Sequence, residues 1–280
     1  MAHLTIGGRN LFHRRSGAGE PLLLIMGMSG THLSWGEPFI ADLERDFDVV
    51  AYDHRGIGRS DPESAAFSIV DLADDAVGIL DALGWTSAHV LGISMGGMIA
   101  QELALSHPER IRTLTLGCTY CGGPGSALAP QATIEKLSAG MITSHPPDRE
   151  LAIRNGFEVN VSAAFAAREG TYESFRAMAK ALPAPVPVIM LQMQAIAQHD
   201  TSARLATLGG VPTLVIHGDE DAMLPVENGR LIASLIPGAE LEVLEGVGHM
   251  FWWEQPERSA ALVRAHADAG LQVAPPAPNH

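Results

Sequence analysis

Short apolar runs alternate with helical patterns along most of this chain, and that alternation restricts its fold more than any other feature. The predicted strands are residues 21–26, 47–52, 88–93, 111–116, 212–217 and 239–244. Residues 22–25 are continuously apolar, as expected of a parallel strand that is buried on both faces. Residues 4–6 and 10–14 are predicted to form an antiparallel hairpin before these strands. Strands joined by helices favour βαβ units around a mainly parallel sheet.

Helices are predicted in the segments between these strands. In residues 69–83 the apolar side chains recur on one face of a helix and the aspartates lie on the others. Further helices are predicted at 94–107 and at about 225–236, and Pro256 lies in the first turn of the last one. The chain is therefore predicted to be an α/β protein.

Residues 126–203 interrupt the alternation, because they contain no convincing strand. Helical patterns at 133–141, 148–157 and 172–182 are separated there by Pro146-Pro147 and by Pro183, Pro185 and Pro187. We therefore predict a core formed by residues 1–125 and 204–273, with residues 126–203 inserted into it as a helical lid. The proline-rich tail, residues 274–280, is predicted to be disordered.

The charge of the chain argues against several classes of partner. It has 32 acidic and 18 basic residues, for a net charge of −14, so nucleic acids and anionic membranes would be repelled. Residues 1–19 lack the apolar stretch of a secretory signal, and the apolar run after them is too short to span a bilayer. We expect a cytoplasmic protein that binds neither nucleic acid nor membrane. The sequence leaves the oligomeric state open, and a homo-oligomer is one possibility.

The two cysteines, Cys118 and Cys121, have the spacing Cys-x-x-Cys. A zinc site needs two more ligands at a workable spacing, and no such pair follows. A redox pair would open a helix, whereas this one runs into the glycine-rich residues 122–125. We therefore predict two reduced cysteines in a connecting loop and no metal site.

The sharpest chemical signal is Gly92-Ile93-Ser94-Met95-Gly96, a G-x-S-x-G sequence between a predicted strand and a predicted helix. A strand–turn–helix of this kind presents a serine hydroxyl at the carboxyl edge of a sheet, and the glycines permit the tight turn. The helix N-terminus also favours negative charge nearby. Ser94 is therefore the predicted nucleophile.

A base that activates serine needs a carboxylate to orient it. Residues 217–225, HGDEDAMLP, follow a predicted strand and contain three candidates. Asp221 best fits a loop residue that faces the nucleophile, with Asp219 as its rival and Glu220 third. The alternative position, after the preceding core strand at residues 117–125, contains no carboxylate.

His249 is the predicted base, because it lies in a glycine-bracketed loop after the last predicted strand. His54 precedes the serine, whereas the chain order typical of such sites is serine, acid, histidine. His217 ends a strand, which favours a structural role. These groups act without a metal or an organic cofactor, so none is expected.

Two backbone N–H groups are predicted to stabilise the oxyanion. One belongs to Met95, which follows the nucleophile, and the other to Met28, in the loop after the first core strand. The side chains of Met28, Met223 and Met250 lie beside these motifs and predict an apolar, adaptable substrate pocket. Trp252 is assigned to the same pocket, although packing in the core explains it equally well.

These motifs resemble those of the α/β-hydrolase superfamily. The resemblance rests on PLLLIMGMSG, YDHRGIGRS, GISMGG, HGDEDAMLP and GVGHM, and it covers about residues 20–122 and 208–265. Within the superfamily the chain is similar to lid-bearing bacterial esterases, lactonases and cofactor-free perhydrolases. It departs from many relatives at Met26-Gly27, where they have His-Gly, and from carbon–carbon bond hydrolases at Ile93, where they usually have Asn. Ser94 separates it from haloalkane dehalogenases and epoxide hydrolases, which use Asp.

The resemblance implies an α/β-hydrolase fold with a mostly parallel central sheet, flanking helices and a helical lid. It also implies a serine hydrolase that cleaves a small, largely apolar carboxylic ester through an acyl-enzyme. A lactonase or perhydrolase with the same triad is the alternative among enzymes. A low-turnover ligand receptor is the alternative that is not an enzyme, because fold does not determine function.

Overall fold

The computed structural model describes residues 2–139 and 148–273, and the strands within them form one eight-stranded sheet. The strands are β1 (Ala2–Ile6), β2 (Arg9–Gly17), β3 (Glu20–Ile25), β4 (Phe47–Tyr52), β5 (Ala88–Ile93), β6 (Ile111–Gly117), β7 (Thr213–Gly218) and β8 (Glu240–Leu244). Their order is β1-β2-β4-β3-β5-β6-β7-β8. β1 and β2 are antiparallel to their neighbours, and the other six strands are parallel to one another. The predicted, mainly parallel sheet is therefore confirmed.

Helices flank this sheet on both faces. Those described are α1 (Glu37–Leu43), α2 (Ile69–Ala82), α3 (Met95–Ser106), α4 (Gln131–Ser138), α5 (Arg149–Asn160), α6 (Ala163–Ala166), α7 (Thr171–Ala181), α8 (Val186–Ala197), α9 (Glu227–Leu235), α10 (Phe251–Glu254) and α11 (Pro256–Val273). α2 packs against α3, which lies on β5 and β6, while α1 packs against α11. None of the helices in the described ranges is both long and apolar enough to cross a bilayer.

Alternate residues of the central strands pack on opposite faces of the sheet. On β3, Leu23 and Ile25 belong to the core formed with α2 and α3, whereas Leu22 and Leu24 belong to the core formed with α1 and α11. All four are at most 1% exposed. The continuously apolar run that predicted this strand therefore reflects two cores, one on each face.

Five of the helices, α4 to α8, lie between β6 and β7, and the described residues of 126–203 contain no strand. The helices predicted at 133–141, 148–157 and 172–182 correspond to α4, α5 and α7. The end of the first, the Pro146-Pro147 pair and the tail 274–280 lie outside the described residues. The division into core and lid stays a prediction.

The helix α8 was not predicted, because it begins among the prolines that we interpreted as separators. Pro185 precedes its first residue, and Pro187 is its second. Proline is tolerated there because the first N–H groups of a helix have no partner within it. The prolines therefore start this helix, and the interpretation of residues 183–187 as a break was wrong for Pro187.

Candidate active site

The predicted site residues lie in loops at one edge of the sheet. Met28 follows β3, Ser94 follows β5, Asp221 follows β7 and His249 follows β8. Because these strands are parallel, their carboxyl ends meet at the same edge. Open α/β sheets bind their ligands at this edge. The fold thus brings together side chains from distant parts of the chain.

Ser94 occupies a strained turn between β5 and α3. Its φ of 56° and ψ of −122° are unusual for a residue with a side chain. Its N–H donates to Gly117 O at 2.9 Å. Its carbonyl oxygen accepts from Gly97 N at 2.9 Å and from Thr119 Oγ1 at 2.6 Å. Strain that the surroundings maintain in this way is characteristic of functional sites.

The two glycines of the motif allow close backbone packing around this turn. A Cβ on Gly96 would overlap the carbonyl oxygen of Ile25, and a Cβ on Gly92 would overlap that of Gly96. α3 therefore approaches β3 more closely than a residue with a side chain would permit. The predicted strand–turn–helix is present, with the glycines in the roles expected of them.

Asp221 and His249 form a buried pair. His249 Nδ1 lies 2.7 Å from Asp221 Oδ2, while Asp221 Oδ1 accepts the N–H groups of Met223 at 2.8 Å and Leu224 at 2.9 Å. Burial opposes ionisation of Asp221, but His249 and His217 outweigh it and lower the pKa of the carboxyl well below its ordinary value. An ionised Asp221 accepts the proton of His249 Nδ1, which leaves Nε2 free to take a proton.

Ser94 is partly exposed, whereas the residues on either side of it are buried. In the ranges that the structure describes, no hydrogen bond joins Ser94 Oγ to His249. Such contacts are often long in unliganded sites and tighten when substrate binds. The site therefore has an oriented base and an accessible hydroxyl that are not yet hydrogen-bonded.

The other two candidate carboxylates lie elsewhere. Asp219 is exposed, and its Oδ1 accepts the N–H of Gly246 at 2.7 Å. Glu220 is also exposed. Asp221 contacts the imidazole of His249, whereas Asp219 links the loop after β7 to the loop that leads to His249. The geometry therefore supports Asp221 over its rival.

The two histidines that we set aside have structural contacts. His217 Nε2 lies 2.8 Å from Leu224 O and 3.3 Å from Asp221 Oδ2, so its ring supports the loop that carries the carboxylate. His54 Nε2 donates to Met26 O at 2.8 Å, and burial lowers the pKa of its ring. A neutral, buried His54 thus holds the start of the loop after β3.

Cys118 lies beside the His–Asp pair, although the sequence assigned it no role there. Its Sγ and the ligand atoms of Asp221 and His249 lie within 4.8 Å of one another. Burial raises the pKa of the Cys118 thiol well above its ordinary value, and Asp221 reinforces the effect by accepting its proton. A metal ion would need the thiolate and would have to displace the His–Asp contact. The proximity of these three groups is therefore better explained by contacts that orient Asp221 than by a metal site.

The two predicted oxyanion donors are available. Among the described residues, no hydrogen bond engages the backbone N–H of Met28 or Met95. Met28 lies in a turn in which Gly30 N donates to Gly27 O at 3.3 Å. A Cβ on Gly27 would lie 3.1 Å from the Cβ of Ser94, so this turn adjoins the nucleophile. The geometry is compatible with the predicted oxyanion hole.

The segment between β6 and β7 holds the loop that carries His249. The buried carboxylate of Glu254 accepts from Gly248 N at 2.9 Å, from Ser162 N at 2.9 Å and from Ser162 Oγ at 2.5 Å. The residue before His249 is thus tied to the start of α6. Sequence patterns did not predict the contact between Ser162 and Glu254, which are 92 positions apart.

The predicted pocket residues have different surroundings. Met223 is partly buried and Met250 is buried. Trp252 is buried, and its indole N–H donates to Ser34 O at 2.9 Å. Trp252 lines an apolar groove of about 580 Å³ between α1, α7 and α10, and Ser94 is not among the residues that line this groove. The assignment of Trp252 to the substrate pocket stays a prediction.

The sheet order, the serine turn after β5 and the His–Asp pair after β7 and β8 are those of a hydrolase, and comparisons with known proteins agree. The chain is 35% identical to a 2-hydroxymuconate semialdehyde hydrolase from Pseudomonas sp. (strain CF600), over 91% of this chain and 90% of that one. It is 31% identical to a rhodomycin D methylesterase from Streptomyces sp. (strain C5), over 90% and 92% of the two chains. The structure of Est816, an N-acyl homoserine lactone degrading enzyme, matches with a TM-score of 0.71 and 30% identity, over 94% and 99%.

The chain belongs to the alpha/beta hydrolase fold family, whose model matches residues 20–256. The predicted fold and superfamily are therefore confirmed. The match runs through α4 to α8, whereas the motifs that we identified in the sequence lie on either side of these helices. The relatives named above are hydrolases, and this chain is a hydrolase.

Proposed function

We propose that this hydrolase cleaves carboxylic esters, with Ser94 as nucleophile, His249 as general base and Asp221 as the group that orients the base. The observation that carries the proposal is the buried 2.7 Å contact between His249 Nδ1 and Asp221 Oδ2, at the same sheet edge as the strained serine turn. A serine hydroxyl, an oriented imidazole and two free N–H groups are the components that acyl transfer requires.

In the proposed reaction, Ser94 Oγ attacks the ester carbonyl while His249 Nε2 takes its proton. The N–H groups of Met28 and Met95 stabilise the negative oxygen of the tetrahedral intermediate. His249 returns the proton to the departing alcohol, which leaves the acyl group on Ser94. A water molecule, deprotonated by His249, then releases the acid and restores the serine. Protein groups and water complete this cycle without a cofactor.

The methylesterase relative supports an ester as the substrate, since it is similar over nine-tenths of both chains. A lactone is the second candidate, and the similarity to a lactone-degrading enzyme favours it. A lactone is a cyclic ester, so the steps are the same except that the alcohol stays attached to the acyl group. The partner in either case is a small, largely apolar molecule.

Progress curves with 4-nitrophenyl esters of graded acyl length would test the proposal. We expect many turnovers per active site, and none with Ser94→Ala. Small lactones and a matched 4-nitrophenyl carbamate, followed in parallel, would rank the bond types. Product formation that stops after one equivalent would contradict the proposal and indicate a ligand receptor. Turnover of the carbamate alone would contradict the choice of ester.

A further inference from the structure

Gln192 is a buried polar residue that the proposed reaction does not use. It lies on α8, its side chain is fully buried, and its Oε1 accepts the N–H of Ser29 at 2.9 Å. Ser29 follows Met28, the proposed oxyanion donor, and its φ of 62° makes it one of three non-glycine residues with positive φ in the described ranges. A side chain on α8 therefore holds a strained residue of the loop that contains Met28.

The orientation of the Gln192 carboxamide follows from this contact. The N–H of Ser29 needs an acceptor, so the oxygen of the amide must face it, and a flipped amide would place two donors against each other. Nε2 therefore does not face Ser29. It is buried, and within the described residues it has no hydrogen-bond partner. A buried donor without an acceptor is costly, because it has lost its hydrogen bonds to water. Buried polar groups are nearly always paired in native proteins, and Nε2 is left able to donate to an acceptor from outside the chain.

Contacts at both ends of α8 hold this helix on the rest of the protein. Val188 packs so closely on Gly56 that a Cβ there would lie 2.9 Å from it, and Tyr120 donates to Ile196 O at 3.3 Å. Oε1 and Nε2 share one carbon, so the unpaired donor lies beside the same loop that Oε1 contacts. That loop adjoins Ser94 through Gly27. A substrate whose carbonyl enters the oxyanion hole would therefore bring its neighbouring atoms close to Nε2.

We propose that Gln192 is a specificity-determining residue, and that its Nε2 donates a hydrogen bond to a second oxygen of the substrate. The preferred esters would then carry an ether, hydroxyl or carbonyl oxygen a few bonds from the scissile carbonyl. This inference rests on the proposed ester hydrolysis. A site with an unpaired buried donor rejects a substrate that lacks the matching acceptor, because that donor then stays unpaired.

Matched ester pairs that differ by replacement of one CH₂ with oxygen would test this proposal. In the first pair, 4-nitrophenyl pentanoate and 4-nitrophenyl ethoxyacetate, the replacement is in the acyl part. In the second pair it is in the alcohol part. The readout is the ratio of kcat/KM within each pair, compared between proteins, because the intrinsic reactivity of the esters then cancels. kcat and KM are determined separately, since loss of a substrate contact and displacement of Ser29 affect them differently.

The informative variants are Gln192→Glu and Gln192→Leu. Glutamate keeps an acceptor for Ser29 N–H and, while it is ionised, has no donor, whereas leucine removes both. We expect the preference for the oxygen-containing ester to fall about tenfold in both variants, in at least one pair. Gln194→Leu is the control, because Gln194 is an exposed glutamine on the same helix, and its ratios should equal those of the wild type. Thermal melting would verify that each variant is folded.

Three outcomes would overturn the inference. Equal ratios in wild type and in both Gln192 variants would mean that Nε2 does not contact the substrate. A loss confined to Gln192→Leu, with an equal fall in kcat for both esters of a pair, would mean that Gln192 only holds Ser29. Absence of hydrolysis of every ester by the wild type would contradict the proposed function itself, and the inference with it.

Discussion

At the scale of single residues, the candidate site depends on how Asp221 is held. Its carboxylate contacts the rings of His249 and His217 and the N–H groups of Met223 and Leu224, and Cys118 Sγ lies within 4.8 Å of it. These contacts compensate a buried charge that would otherwise be costly. Burial opposes ionisation, but the two histidines outweigh it and lower the pKa of the carboxyl, so Asp221 is ionised at neutral pH.

Asp221→Asn should therefore lower kcat/KM on the order of 10⁴-fold, because an amide facing Nδ1 favours the wrong tautomer of His249. Asp219→Asn should change it only a few-fold, since the asparagine oxygen still accepts from Gly246 N. Both variants remove one charge at nearly constant size, so a general electrostatic effect would appear in both. Ester hydrolysis rates of the two variants are the measurement. Equal impairment, or greater impairment in Asp219→Asn, would mean that the acid is misassigned.

The residues that sequence reasoning located are those whose chemistry follows from local context. Ser94 lies in a motif between a strand and a helix, and Asp221 and His249 follow strands in the expected order. Gln192 and Glu254 were missed because their partners are 163 and 92 residues away along the chain. Side-chain contacts over such separations leave no periodic or local signal in a single sequence.

At the scale of helices and strands, the close approach of α3 to β3 determines where the nucleophile lies. Gly96→Ala should destabilise the protein by at least about 2 kcal/mol, because its Cβ would meet the backbone of β3. Gly156→Ala is the matched control on α5, where a Cβ would meet no atom within 4 Å. It should stabilise the protein by about 0.5–1 kcal/mol, since glycine weakens a helix interior. Urea unfolding of both variants is the measurement, and equal effects would contradict the described packing.

The six core strands were predicted to within one residue at each end. In β3 to β7 the short apolar runs coincide with strands that are buried over most of their length. The helices between β6 and β7 were predicted less well. α8 begins among prolines, and α6 has four residues, which is too short to produce a periodic pattern. Both helices contribute contacts to the site, through Gln192 and through Ser162 before α6. The least predictable elements are therefore those that complete the site.

At the scale of the whole molecule, stability should depend on pH through buried histidines. Burial lowers the pKa of His89 and of His199 to about 4, whereas an unfolded histidine titrates near 6.5. Between these values the unfolded chain binds protons that the folded chain does not. The stabilisation is therefore complete above pH 6.5 and decreases as the pH falls towards 4.

We expect the free energy of unfolding to be lower at pH 4.5 than at pH 7.5 by about 2–3 kcal/mol for each of these histidines. Urea titrations at the two pH values would measure it. The double variant His89→Leu, His199→Leu should show a smaller difference between the two pH values, because leucine does not titrate. A difference that is unchanged in the double variant would contradict this explanation.

Covalent labelling of the folded protein would show whether Ser94 is its nucleophile. A fluorophosphonate probe reacts with serines that a neighbouring base activates, and peptide mapping by mass spectrometry identifies the labelled residue. We expect one label, on Ser94, that excess ester substrate suppresses and that is absent in the folded Ser94→Ala variant. Label on another residue, or equal labelling of Ser94→Ala, would contradict the assignment of Ser94.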